Sequence, residues 1–160
     1  MKPLRGLQEA VVGRETWPAL LEDATREVFE IMLGAQLAAA GAVDLSNSEF
    51  TSMIGLAGQL TGVFMVRCDG RCAARITSRM LAIPEDQTGE QVWDALGELC
   101  NMVAGNFKNK LAGISEHCML SVPTVIHGGD YRFRSMADGE SMQISLLFEG
   151  SPITIDLNLA

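Results

Sequence analysis

Glu98 and Asn101 are the residues of this chain whose types and spacing could do chemistry. They stand in Asp94-Ala95-Leu96-Gly97-Glu98-Leu99-Cys100-Asn101-Met102-Val103-Ala104-Gly105-Asn106-Phe107-Lys108. At about 100° per residue, Val92, Leu96, Leu99, Val103 and Phe107 fall on one helical stripe, which must face a core. Asp94, Glu98, Asn101, Gly105 and Lys108 fall on the opposite side. A spacing of three sets Glu98 and Asn101 side by side on a helix. Gly97, Ala104 and Gly105 flank them with almost no side chain, so a carboxylate and an amide stand on a surface low enough for another macromolecule to approach. A glycine inside a helix costs roughly 1 kcal/mol relative to alanine. Something other than helix stability is therefore expected to keep these glycines in place.

Other chemistries find less support. A cysteine phosphatase needs arginine six positions after its nucleophile. From Cys68 that position is Ala74, and from Cys72 it is Ser78. The only histidines, His117 and His127, have no serine or cysteine arrangement suggesting a triad. No glycine-rich loop precedes a helix in nucleotide-binding spacing. Cys68 and Cys72 lack a second close pair, and Cys100 sits on the core flank of its helix, so no metal site is expected and the four cysteines read as buried thiols.

The totals bound the answer. A length of 160 residues suits a single domain, 1–160, with a real core. Apolar residues make up 48%, which argues against disorder. A net charge of -8 argues against nucleic acid or an anionic membrane as partner, since both need a basic patch. The first residues lack the apolar run of a signal peptide, and Ile31 to Val43 is too short and polar to span a bilayer. A cytoplasmic location is expected.

The elements that must position Glu98 and Asn101 follow from periodicity and punctuation. Residues 1–17 suggest at most a short strand or extended arm. Trp17-Pro18 starts a helix, with Pro18 in the first turn. Its apolar set is Leu21, Ala24, Val28, Ile31, Met32 and Ala35, and it is expected to run through Ala40 and stop at Gly41. After a polar connection over 43–49, Phe50–Ala57 and Leu60–Arg67 read as strands joined at Gly58-Gln59. Asp69 caps a helix reaching about Ile83, with Arg71, Arg75 and Arg79 in water, and Pro84-Glu85-Asp86 breaks it. Thr88-Gly89-Glu90-Gln91 matches a capping box before the central helix, which ends near Asn109. Cys118–Ile126 reads as the next strand, Gly128-Gly129-Asp130 as a turn, and Met142–Phe148 as a further strand. Ile153, Ile155, Leu157 and Leu159 alternate with Thr154, Asp156 and Asn158 as in a half-buried strand, one that could be a sheet edge open to self-association. The fold class is α+β: a mostly antiparallel sheet covered by two long helices.

The first helix echoes the central one. Residues 24–34 lie against 95–105, with Glu27 opposite Glu98 and Glu30 opposite Asn101. The echo suggests a pseudo-twofold repeat of helix plus strand-pair units, with a degenerate, inactive copy on the first helix. Any two amphipathic helices keep their faces in phase, and Arg26 with Glu30 is also an ordinary surface pair four apart.

The stretch Gly97 to Asn106 followed by Lys108 resembles the CheC/CheX family of chemotaxis phosphatases, most closely its CheX-type members. Supporting stretches are Ile54-Gly55-Leu56-Ala57-Gly58-Gln59-Leu60-Thr61-Gly62, Ala74-Arg75-Ile76-Thr77-Ser78-Arg79-Met80-Leu81 and Glu27 to Gly34. The resemblance implies hydrolysis of the aspartyl phosphate of a CheY-type response regulator, with Asn101 as the catalytic amide and Glu98 its companion. A neutral amide offers both a donor and an acceptor, so it can hold a water in line with phosphorus beside a dianion. Glu98 is better suited to dock a cation, the regulator's active-site lysine. Asp94, Gly97, Gly105 and Lys108 would complete the partner-binding face. The chain itself would bind no cofactor; Mg2+ would belong to the phosphorylated regulator. The resemblance also implies a homodimer. The alternative is a non-catalytic module of the same fold that docks a response regulator or flagellar-switch component.

Overall fold

The computed structural model describes residues 13–42, 48–111, 113–129 and 139–160. The N-terminal arm over 1–12, most of the polar connection and Asp130 of the expected turn lie outside the described residues. Seven strands form one sheet: β1 (Ala38–Ala39), β2 (Phe50–Gly58), β3 (Gly62–Cys68), β4 (Cys118–Leu120), β5 (Thr124–His127), β6 (Ser141–Phe148) and β7 (Ser151–Leu159). Their order is β1-β6-β7-β3-β2-β4, with β5 also pairing β2, and all described pairings are antiparallel. The helices are α1 (Trp17–Leu33), α2 (Gly70–Leu81) and α3 (Gln91–Asn109). The α+β class and antiparallel sheet are thus as expected, with α1 of 17 residues and α3 of 19 accompanied by the shorter α2 of 12.

Alternation along the strands builds the core. Ile54, Leu56, Phe64, Val66, Leu146, Phe148, Ile153, Ile155 and Leu157 are buried and share one sheet face. The helices place Leu21, Phe29, Ile76, Leu96, Leu99 and Phe107 in the same core. Trp17 meets Phe107 edge-on at 6.0 Å, and Phe29 meets Phe148 at 5.4 Å, so α1 is held to both α3 and β6.

Helix α1 ends earlier than its alanine-rich continuation suggests. Gly34 adopts φ +62° and returns its N–H to Glu30 O, terminating the helix at Leu33. Ala38 and Ala39 then pair with Leu147 and Leu146 of β6, a tertiary pairing that overrides alanine's helix preference. The last turn also rolls outward. Ile31 is 79% exposed and Met32 is exposed, while Thr25, Phe29 and Leu33 take the buried positions.

Asp69 caps α2 as expected, accepting from Cys72 N at 2.7 Å. Two of the arginines expected in water are engaged: Arg75 donates to Glu149 O at 3.1 Å, and Arg79 pairs with Glu149. The capping box before α3 does not form. Thr88 turns its hydroxyl back to Glu85 O at 2.9 Å, and Gln91 N donates to Thr88 O, so the helix opens through a tight turn without a side-chain cap.

The β2–β3 connection is longer than a two-residue turn. Leu56 pairs with Gly62, while Gly58, at φ +110°, is held against Cys118. Strand β7 is not an edge. It lies between β6 and β3, and its polar residues find partners on the face away from the core. Asp156 accepts from Arg67 at 2.7 and 2.9 Å and from Gln143 at 2.6 Å, while Thr154 and Ser145 hydroxyls meet at 3.2 Å. Self-association through β7 is therefore excluded, because its backbone bonds are already taken on both sides.

Candidate active site

Helix α3 presents its two faces as the spacing predicts. Val92, Leu96, Leu99, Val103 and Phe107 are buried, joined by Ala95, Cys100 and Ala104. Asp94 and Glu98 are exposed, and Asn101, Gly105 and Lys108 are half-buried. Neither Glu98 nor Asn101 makes a side-chain hydrogen bond or ion pair with a described residue. Both polar groups are thus left with open hydrogen-bonding capacity on a rigid element.

One expected contact residue moves to another role. Gly97 is buried, not part of the open face. A Cβ there would lie 3.4 Å from Pro123 Cγ and 3.6 Å from Val125 Cγ2. Gly97 lets the sheet edge press against α3, so a docking partner cannot reach it. Gly105 sits beside the same edge, with Leu120 Cδ1 at 3.9 Å from its Cβ position. At the start of α3, Trp93 packs edge-on against Phe50 and His127, both at 5.8 Å, while Phe50 and His127 stack at 4.4 Å. The edge therefore runs antiparallel to α3, with His127 at Trp93, Pro123 at Gly97 and Leu120 at Gly105.

The predicted strand over 118–126 is broken at Ser121–Pro123, where proline cannot donate to a ladder. Ser121 still anchors the break: its N–H donates to Gly55 O at 2.9 Å, and its hydroxyl accepts from Gly55 N at 2.8 Å. Pro123 was the available signal for this feature.

The first helix does not repeat the open arrangement. Glu27 accepts from Lys110 Nζ at 2.7 Å and from Asn106 Nδ2 at 2.9 Å, and Asn106 also reaches Ala24 O at 3.1 Å. The Lys110 and Asn106 hydrogen bonds hold the Glu27 carboxyl below its ordinary value. Glu27 is a tie between α1 and α3, whereas Glu98 has no side-chain partner among the described residues. Arg26 pairs with Glu22 at 2.9 Å rather than with Glu30, and also donates to Leu37 O.

The cysteines are poor nucleophiles. All four are buried and unpaired by disulfides. Burial pushes the Cys100 thiol up to about 12, and Cys72 is raised by its hydrogen bond with Cys68 and by burial. Burial also raises Cys118, partly opposed by the charge of Lys108. Among the described residues, no group of three or more His, Cys, Asp or Glu side chains converges as a metal site would require. No described helix is long and apolar enough to cross a membrane.

An antiparallel sheet under three helices, one of which carries a carboxylate and an amide with no side-chain partner among the described residues, defines an α+β class of protein. The family described as chemotaxis phosphatase CheX matches residues 50–147, more than half of the chain, and the chain belongs to that family. The CheY-P phosphatase CheX of Thermotoga maritima is 30% identical over 99 residues, covering 61% of this chain and 64% of that protein's length. The crystal structure of chemotaxis protein CheX from Vibrio vulnificus superposes with a TM-score of 0.77 at 21% identity, over 90% of this chain and 96% of that one. The CheX–CheY–BeF3–Mg2+ complex from Borrelia burgdorferi matches with a TM-score of 0.70 at 20% identity, over 89% and 97% of the two chains.

Proposed function

We propose that this chain hydrolyses the aspartyl phosphate of a CheY-type response regulator, with Asn101 orienting the attacking water. The observation that carries this reading is the pair of unengaged side chains, Glu98 and Asn101, on a buried-backed and therefore rigid helix. Family membership supplies the substrate class. An acyl phosphate has a carboxylate leaving group, so no protein nucleophile or general acid is required. Water attacks phosphorus, the bond from phosphorus to the aspartyl oxygen breaks, and the carboxylate departs with the bonding electrons. The water's proton passes to the released phosphate or to solvent.

Catalysis of this kind is positioning and electrostatics. The Asn101 carbonyl accepts from the water while its NH2 donates toward a phosphoryl oxygen. Glu98, an anion, would repel the phosphoryl group if it approached as a base. Its role is to bind the regulator's active-site lysine, which fixes the register of docking. Asp94 extends the acidic side of the face, and Lys108 and Gly105 border it further along α3. In this reading Mg2+ belongs to the phosphorylated regulator; the Borrelia complex contains CheY, BeF3 and Mg2+ together with CheX. A second copy of this chain is the expected assembly partner.

The test is release of phosphate from the phosphorylated regulator, with and without this protein. Asn101→Ala is expected to lose on the order of 10²-fold or more in turnover, the scale for one missing transition-state donor. Its affinity for the regulator should largely survive. Glu98→Ala should chiefly weaken affinity. Wild-type rates from Asn101→Ala would remove Asn101 from the mechanism.

A further inference from the structure

Resting on the function proposed above, we infer that Val122 is a further contact and specificity-determining residue of the same site. Asn101 is bordered by the sheet edge. Pro123 touches the position of Gly97, four residues before Asn101, and Leu120 approaches Gly105, four residues after it. The chain between those two points is Ser121-Val122, so Val122 lies at the level of Asn101 along the helix.

Val122 is 85% exposed, the most exposed large apolar side chain among those described. Its exposure is built into the fold. Ser121 is fixed to Gly55 by two hydrogen bonds, and its hydroxyl also donates to Val122 O at 3.1 Å. Pro123, on the other side, is pinned against α3. A break between strands, tied down at both ends, thus holds an apolar side chain in water beside an amide with no side-chain partner among the described residues. Rigid presentation lowers the ordering cost of binding, which is the setting in which an apolar anchor contributes most.

The helical positions of the neighbours complete the partner's description. Glu98 is exposed one turn before Asn101, and the edge carrying Val122 passes Asn101 between its contacts at Gly97 and Gly105. The surface that fits has both a cation and an apolar side chain next to its acyl phosphate. Regulators lacking that apolar residue would be poor substrates.

The experiment measures affinity for a CheY-type regulator loaded with beryllofluoride and Mg2+, and steady-state phosphate release, for wild type, Val122→Ile, Val122→Ser and Val122→Asp. Val122→Ser and Val122→Asp should weaken affinity and raise KM by about 10-fold or more, with kcat at saturation within about twofold. Val122→Ile should bind as wild type does. Because the side chain is exposed, thermal stability should not change. Unchanged affinity in Val122→Asp overturns the inference, as does a fall in kcat at constant affinity. A change in self-association with regulator binding intact also overturns it and assigns the residue to contact with a second copy. Failure of the hydrolysis reading has a different signature: Asn101→Ala would match wild type while the Val122 variants still bound less tightly.

Discussion

Gly97 offers the sharpest test of how α3 and the sheet edge are fitted together. An ideal Cβ at this position lies 3.4 Å from Pro123 Cγ, 3.6 Å from Pro123 Cβ and 3.6 Å from Val125 Cγ2. These are contact distances, so one methyl group fits with at most a slight adjustment of the proline ring. Gly97→Ala then gains the helix preference of alanine, roughly 1 kcal/mol. Valine must place two more methyl groups beyond that Cβ. In a helix it is confined mainly to one χ1 rotamer, so it cannot turn both aside. Overpacking of this kind costs about 1–3 kcal/mol. At about 2–4 °C per kcal/mol for a domain of this size, Gly97→Ala should raise Tm by a few degrees and Gly97→Val should lower it. Thermal denaturation followed by circular dichroism reads the difference. Regulator affinity should survive the alanine change and weaken with valine, because displacing Pro123 displaces Val122. Equal stability and equal affinity for the two variants would show that the edge does not rest on Gly97.

Two further perturbations probe the frame around the site. Asp156 is only 10% exposed in its side chain and serves both Arg67 and Gln143. Asp156→Ala leaves a mostly buried guanidinium unpaired and should cost on the order of 3 kcal/mol, measurable by urea denaturation; a loss below about 0.5 kcal/mol would contradict the pairing. The Glu27 carboxyl titrates below its ordinary 4.5 because Lys110 and Asn106 hydrogen-bond its charged form. A depressed folded value means stability that is present above the unfolded pKa and is lost as pH falls through the lower, folded one. The stability gap between wild type and Glu27→Gln should therefore be present at neutral pH and close in acid. A gap that widens below pH 4 would reverse the sign and refute the tie.

The two faces of α3, and so the placement of the candidate residues, were legible in the sequence because a helix reports its own faces. Periodicity placed Leu96, Leu99, Val103 and Phe107 inside and Glu98 outside, and burial agrees. The same rule failed at Ile31 and Met32, which are exposed although they lie within α1, the last turns being buried through Phe29 and Leu33 instead. It failed again over Leu37–Ala40, because the strand that Ala38 and Ala39 pair with is β6, far along the sequence and invisible to local preference. Strand β7 shows the same limit. Its alternation of apolar and polar residues is that of a half-exposed edge, yet Arg67 and Gln143 supply the partners that allow Asp156 to sit in the centre of the sheet.

Gly97 and Gly105 bring these lines together. Their presence in a helix signalled a demand beyond helix stability. At Gly97 the approach of Pro123 restricts the side chain to at most a methyl group, a demand for a small residue rather than for glycine itself. At Gly105, Leu120 Cδ1 stands 3.9 Å from the Cβ position and leaves room. A single helix read alone suggests that the glycines clear space for a partner. Read with its neighbour, Gly97 clears space for the protein's own edge. The consequence for function is that Asn101 does not stand on a bare helix. It stands beside a wall whose position is set by a glycine on one element and a proline on another. For the role proposed for Asn101, a fixed neighbouring edge limits misplacement of the amide, and small misplacements of a catalytic group are costly in rate.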